Sequence, residues 1–313
     1  MVNELPPLHF AFIFNPKAGR FHNEKLVKRI EAIFHDHPNG HTAEVLLTFH
    51  RGHASELAAE LAGRFGASLV AVSCGGDGTA NEVANGIVGT QSAMAILPLG
   101  TANDFARAAL TTDNPEQLLE MILQPRIRSI DVMRVDDRIC LNIASLGFDT
   151  KVQLKASAIN TKVRWLGSLS YPLAILAALF GGREYSMHYR LETIDADNKP
   201  GIVEADSKFI LAAICNGRYY GGGFNPSPTA SLDDGKLDFC LVDSLPLRRI
   251  LPLIPLYKKG QHLSDPAVHM MQITAGRIEA TDGLLLGNLD GESFERLAID
   301  FKIIPAGLRF AFY

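Results

Sequence analysis

The stretch Ser73–Val83 reads SCGGDGTANEV, and its residue types define a chemical problem. Gly75, Gly76 and Gly78 permit positive φ and close approach of a ligand to the backbone. Thr79 followed by Glu82 has capping-box spacing, which predicts a helix starting at Thr79. The free N–H groups of that first turn, at the positive end of the helix dipole, suit a phosphate. Asp77 sits in the middle of this loop, and a carboxylate among phosphates is repulsive unless a cation separates them. Mg2+ is held by one or two carboxylates together with phosphate oxygens and water, so Asp77 is assigned as a metal ligand, direct or through water. The loop therefore reads as a cradle for a Mg–nucleotide. It is neither a G-x-x-x-x-G-K-[ST] loop nor a G-x-G-x-x-G loop.

Two more glycine-bearing turns, NPKAGR (Asn15–Arg20) and LGTAND (Leu99–Asp104), link apolar runs to helical ones. Glycine turns are also the ordinary way an α/β chain reverses. Three of them at the carboxyl ends of parallel strands nevertheless mark the usual ligand edge. Thr101 and Asp104 repeat the Thr79 arrangement more weakly. Phosphoryl transfer also needs a group that orients or deprotonates the nucleophile. NLDGESF (Asn288–Phe294) offers Asp290 and Glu292 around Gly291, a spacing that equally fits an acidic hairpin turn. PTASLDDGKLDF (Pro228–Phe239) sets Asp233 and Asp234 before Gly235, either as a plain turn or as an oxygen-rich metal loop. The glycine-rich NGRYYGGGFNPSP (Asn216–Pro228) either shapes an acceptor pocket or is a plain flexible loop.

The elements that must position these loops change texture along the chain. From residue 8 to about 130, strand and helix alternate: strands at His9–Phe14, Ala43–Phe49, Ser68–Ser73 and Ala93–Leu97, helices at Asn23–His35, 51–65, Thr79–Val88, Ala102–Ala109 and Pro115–Leu123. Alternation of this kind predicts a parallel sheet covered on both faces. Beyond Ile130 the runs IDVMRV, RICLNIASLG, HYRLETI, KFILAAICNG, KLDFCLV, HMMQITAGRIEA and LAIDFKIIPAG predict a mainly antiparallel β-rich domain. Helical insertions are expected at about 150–182 and 245–258. The 313 residues favour two domains. A net charge of −4 without a long basic run gives no sign of a nucleic-acid partner. The four cysteines form no C-x-x-C pair and read as reduced, buried thiols. The first residues lack the pattern of a secretory signal, which gives a cytoplasmic expectation.

FNPKAGR, GGDGTANEVANGI, LPLGTANDFAR, IDVMRV, LNIASLGFDT, NGRYYGGGFNPSPTASLDDGKLD and NLDGE occur in this order between residues 14 and 292. Together they resemble the diacylglycerol kinase catalytic-domain family and look closest to the soluble bacterial lipid kinases, including the phosphatidylglycerol kinase-like branch. The resemblance implies an α/β nucleotide domain at 1–130, related to that of NAD kinases, and a β-rich acceptor domain at 131–300. Residues 301–313 would return to the first domain, and the active site would lie in the cleft. It implies ATP contacts from Thr48, from Cys74, Gly75, Gly76, Asp77, Gly78, Thr79 and Ala80, and from Thr101. Asn15 and Lys17 join this set, with Lys17 and Arg20 able to meet phosphate or a lipid headgroup. Glu292 would be the general base for the lipid hydroxyl. A second, structural Mg2+ would be held by Asp234 and by main-chain oxygens of Ser231 and Lys236. Ser231 departs from the acidic residue that some relatives carry there.

The expected activity is transfer of the γ-phosphate of ATP to a hydroxyl of a membrane lipid. The competing readings are an NAD kinase-like enzyme, which shares GGDGT, and a non-catalytic nucleotide- or lipid-binding regulator. A lipid acceptor implies reversible, peripheral association with the inner membrane face. Lys151, Lys155, Lys162, Arg164 and Arg183 flank the apolar Trp165–Phe180 run, and Arg248, Arg249, Lys258 and Lys259 surround ILPLIPLY. Such pairings suit anionic lipid, and equally suit core helices with solvated ends. Trp165–Gly182, uncharged but broken by Ser168, Ser170 and Pro172, reads as a buried or interfacial helix and not as a span. An apolar helix of this type would also fit a homodimer seam.

Overall fold

The computed structural model describes residues 6–18, 23–35, 39–162, 170–179 and 184–313. The chain forms two compact units, Met1–Val132 with Pro305–Tyr313, and Met133–Ile304. The change of unit falls inside two strands, β5 (Arg126–Val135) and β14 (Ala298–Phe312).

In the first unit β1 (His9–Phe14), β2 (Thr42–Leu47), β3 (Leu69–Gly75) and β4 (Ala93–Pro98) pair in parallel. The end of β14 adds to β4, also in parallel, giving the order β14-β4-β3-β1-β2. Phe10, Phe12, Phe14, Val70, Val72, Ala95 and Leu97 form one core face, and all are buried. Ala11, Ile13, Ala71, Met94 and Ile96, which alternate with them, are buried as well. Continuous apolar strands are what a sheet covered on both faces requires. The α-helices among the described residues are α1 (Asn23–Phe34), α2 (His53–Phe65), α3 (Asp77–Ile87), α4 (Asp104–Ala109) and α5 (Pro115–Met121).

In the second unit the strands of the main sheet path pair antiparallel. The order is β13 (Glu292–Arg296), β12 (Leu285–Leu289), β7 (Ile143–Gly147), β9 (Pro200–Cys215), β10 (Leu237–Asp243), β11 (Val268–Ala280) and the start of β14. β8 (Tyr185–Ile194) pairs with both β9 and β11. Along β9, Phe209, Ala212 and Ile214 face one core, while Ile210, Ala213 and Cys215 face another. The second core is covered by α6 (Phe148–Lys162), α7 (Ser170–Leu179) and α8 (Leu247–Lys258). All four cysteines are free and buried, and burial pushes every thiol well above its ordinary range.

Several sequence expectations change. RICLNIASLG is not one strand: it divides into β6 (Arg138–Cys140) and β7, because Leu141, Asn142 and Ile143 turn their N–H groups to Asp290. The runs forming β12 and β13 were not among the expected strands, although a hairpin turn at NLDGESF was one of the two readings of that segment. The helix expected at Thr79 begins at Asp77 with Gly76 as its cap and no side-chain cap, so the capping box does not form. Glu82 instead accepts from Gly52 N–H (2.9 Å) and Ala54 N–H (3.2 Å), capping the start of α2 from a neighbouring helix.

Candidate functional site

Register places the nucleotide-loop candidates on one edge. Phe14 pairs with Leu47 and Cys74, and Gly75 with Pro98, so the residues that follow these strands leave the sheet together. Asn15 N–H donates to Cys74 O (3.0 Å), and Asn15 Nδ2 reaches Thr79 Oγ1 (3.3 Å). Thr48 N–H donates to Phe14 O (2.9 Å), and the Thr48 side chain is buried. Leu99 and Gly100 N–H both donate to Gly75 O. The two glycine turns touch so closely that a side chain at Gly100 would strike the backbone of Gly76. Asn103, in the left-handed region at φ 52°, closes the second turn by accepting from Gly100 N–H (3.0 Å).

Ala80 N–H makes the first backbone bond of α3, to Gly76 O (3.0 Å). The N–H groups of Asp77, Gly78 and Thr79 therefore precede the intrahelical ladder. A Cβ at Gly78 would meet nothing within 4 Å. Glycine in a helix costs about 0.5–1 kcal/mol relative to alanine, and no packing contact requires it here. The space over the first turn is open, which leaves room for a ligand on its N–H groups, so the loop fits a bound phosphate. Asp77 is half-buried, and its Oδ1 accepts from Phe105 N–H (3.0 Å) in the first turn of α4. A carboxylate has about four lone-pair sites, so that bond orients the group and leaves capacity for a cation. Thr101 and Lys17 are exposed. Cys74 and Ala80 are buried, so both can act only through the main chain. Arg20 lies outside the described residues.

The two acids of NLDGESF have different surroundings. Asp290 and Gly291 form a two-residue turn with φ 46° and 96°, the positive pair that a type I′ hairpin demands. Asp290 accepts from Leu141 N–H (2.6 Å), Asn142 N–H (3.0 Å) and Ile143 N–H (3.1 Å), so its carboxylate is spent on the backbone. Gly291 is held from both sides: its N–H donates to Asn288 Oδ1 (2.8 Å), and Gln153 donates to its carbonyl. Glu292, the next residue, is half-buried and pairs with Arg138. The rigid turn and the guanidinium together fix the direction of that carboxylate.

The PTASLDDGKLDF loop is a tight turn. Ser231 Oγ donates to Asp233 (2.8 Å), Lys236 N–H donates to Asp234 Oδ1 (3.1 Å), and Gly235 has φ 73°. Asp233 and Asp234 thus each accept a hydrogen bond within the turn, an arrangement compatible with both readings of the spacing.

The second unit also contains a small, largely apolar cavity of about 80 Å3, lined by residues that include Phe148, Val152, Ile210, Leu253 and Tyr257. Asp149 is the one carboxylate among its described lining residues. Burial raises the pKa of this acid to about 6, against hydrogen bonds from Ser145, Thr150 N–H and Tyr220 that pull the other way. An acid whose folded pKa lies above its unfolded value keeps its proton longer in the folded state. Asp149 therefore favours folding below about pH 4 and loses that contribution as pH rises through about 6. A rise of this size corresponds to roughly 3 kcal/mol. In urea unfolding, the stability of wild type minus that of Asp149→Asn should fall by a few kcal/mol between pH 4 and pH 7; a difference independent of pH would contradict it.

Several positioning residues have roles that sequence reasoning did not find. Arg138 opens a three-residue strand and meets Glu292 154 positions away. Glu82 matches a local motif but acts on a different helix. Gln153, which also accepts from Asn288, lies within an ordinary helical run.

The diacylglycerol kinase catalytic domain matches residues 9–135, and the YegS C-terminal NAD kinase beta sandwich-like domain matches 142–312. A Pseudomonas aeruginosa protein named "Probable lipid kinase YegS-like" is 34% identical over 86% of this chain and 84% of its own length. A protein of the same name from Stenotrophomonas maltophilia is 31% identical over 89% of each chain. A crystal structure of a diacylglycerol kinase from Bacillus anthracis superposes with a TM-score of 0.70, covering 98% of this chain and 97% of that one at 19% identity, a likeness of fold. With both domains matched in sequence along most of its length, the chain belongs to the diacylglycerol kinase catalytic-domain family, among its YegS-like lipid kinases.

Proposed function

We propose that this protein transfers the γ-phosphoryl group of ATP, with Mg2+, to a hydroxyl of a membrane lipid. The observation that carries the reading is the open first turn of α3, where Gly78 leaves unobstructed N–H groups beside the oriented carboxylate of Asp77. Thr48, Gly75, Gly76, Thr79 and Thr101, with Asn15 and Lys17, complete the nucleotide side. Cys74 and Ala80 contribute backbone only. Mg–ATP, when bound, supplies the transferable group and the charge that neutralises it. Glu292 takes the proton of the attacking hydroxyl and is held for that task by Arg138. Asp234, with carbonyls of Ser231 and Lys236, is assigned a structural Mg2+ whose work is to hold the turn.

The apolar cavity supports a lipid acceptor, since its lining is almost wholly aliphatic and aromatic, the surface an acyl chain would meet. Incubation with γ-labelled ATP, Mg2+ and mixed micelles of diacylglycerol, phosphatidylglycerol or a sphingoid base tests the reading. Label should enter one of these lipids. Label entering NAD or no acceptor at all, with ATP still bound, would overturn it.

Membrane docking is assigned to α8. Ile250, Leu253 and Tyr257 face the core, while Leu251 and Leu256 are exposed beside Arg248, Lys258 and Lys259. Basic residues near an anionic surface contribute about 1 kcal/mol each. Leu173 and Leu176 of α7 are also exposed, whereas the segment from Trp165 to 169, with Arg164, Arg183 and residue 180, lies outside the described residues. No helix among the described residues is long and apolar enough to cross a membrane. Flotation should show the protein on phosphatidylglycerol-containing liposomes, with several-fold less on neutral ones. Replacing Arg248, Lys258 and Lys259 by Ser should abolish the difference, and equal binding to both liposomes would refute the assignment.

A further inference from the structure

We propose that His50, His53 and Glu56 form a binding site for a divalent transition ion of the zinc class. One ligand atom from each residue lies within 4.8 Å of the others, and the two imidazole rings are 4.7 Å apart. His50 Nε2 is 3.9 Å from Glu56 Oε2. Zinc bonds of about 2.0–2.2 Å to nitrogen and oxygen place neighbouring donors roughly 3.3 Å apart. His50 and Glu56 are exposed, so rotation of their side chains closes the remaining gap.

Two features set this group apart from a chance surface cluster. The turn that carries it is anchored from below: His53 N–H donates to His50 O, Gly52 takes φ 86°, and Glu82 accepts from Gly52 and Ala54 N–H. The rings are also oriented through their Nδ1 atoms. His50 Nδ1 faces Arg51 O (3.0 Å), which can only accept, so this nitrogen carries the proton and Nε2 keeps its lone pair. That backbone contact is the usual outer partner of a metal-bound histidine. His53 Nδ1 accepts from Phe49 N–H (3.2 Å). The ion takes a ring nitrogen of His53 in exchange for this bond, and Phe49, which is 76% exposed, turns its N–H to water.

Two imidazoles and one carboxylate select Zn2+, Co2+, Ni2+ or Cu2+ over Mg2+, which prefers oxygen donors. The site is therefore distinct in chemistry from the Mg2+ assigned to Asp77 and does not depend on the lipid kinase reading. A bound ion would tie the turn after β2 to the first turns of α2, directly beyond Thr48.

The test is titration of the full, tag-free chain with Zn2+ against a chromophoric zinc indicator in excess Mg2+, followed by Co2+ absorption spectroscopy. One equivalent per chain is expected, with affinity at least tenfold lower in His50→Ala and in Glu56→Gln, and with a melting temperature raised by Zn2+ in wild type only. Both substitutions are at exposed positions, and their metal-free melting temperatures should match wild type. Absence of a stoichiometric equivalent, or an equivalent retained in the His50→Ala/His53→Ala double variant, would overturn the site.

Discussion

Glu292→Gln is expected to lower kcat by about 10²–10⁴, the usual contribution of a positioned general base, while leaving the fold intact. Glutamine keeps an oxygen for Arg138 and fits the same space beside it, so the ion pair becomes a neutral–charged hydrogen bond and the turn survives. What disappears is the proton acceptor. The contrasting variant is Asp290→Ala, two residues away. It would strand the N–H groups of Leu141, Asn142 and Ile143. Hydrogen bonds to a charged group contribute about 1.5–3 kcal/mol each, so this variant should lose stability before it loses chemistry. Steady-state kinetics and urea unfolding on both proteins check the pair. A Glu292→Gln enzyme turning over within a few-fold of wild type would remove Glu292 from the reaction, whatever Asp290→Ala does.

That contrast also marks where sequence reading stops. The glycines of GGDGT and LGTAND were legible because they answer to local constraints: a close backbone approach, an open helix end, a strand-to-helix turn. The parallel sheet was legible for a similar reason, since β1, β3 and β4 are apolar on both faces. Asp290 and Glu292 were indistinguishable by spacing, and only their partners separate them: three amides for one, a guanidinium for the other. Those partners lie about 150 positions away, at a distance no local pattern encodes. Glu82 shows the opposite hazard. Its T-x-x-E spacing is a valid local signal, yet α2 packs close enough to offer two N–H groups, and a tertiary contact displaced the local one. The break in RICLNIASLG has the same origin, because Asp290 takes the N–H groups that would have continued the ladder. β9 ran longer than expected, since its exposed first half, opened by Pro200 and Gly201, reads as a turn until β8 pairs with it.

The glycine loop yields the second large effect. Asp77 has a structural task as well as the proposed chemical one, and the two can be separated. Its Oδ1 accepts from Phe105 N–H, so it acts as a cap for the six-residue helix α4. Removing a cap by alanine costs about 0.5–2 kcal/mol, so Asp77→Ala would blur a metal effect with a fold effect. Asp77→Asn keeps an acceptor oxygen for Phe105 and removes the charge. If the carboxylate holds the cation that offsets the phosphates, this variant should melt within a degree or two of wild type. Its turnover should be lower by about 10²–10³, the loss typical for one preorganised electrostatic contact in a transition state. The dependence on Mg2+ should move to higher concentration, because a neutral amide is the weaker ligand for a hard cation. A cap alone predicts the reverse: the asparagine variant would turn over normally at ordinary Mg2+, and only the alanine variant would lose both stability and rate. The two substitutions, each measured for melting temperature and for rate across a Mg2+ series, therefore decide why a loop of open amides carries a negative charge at its centre.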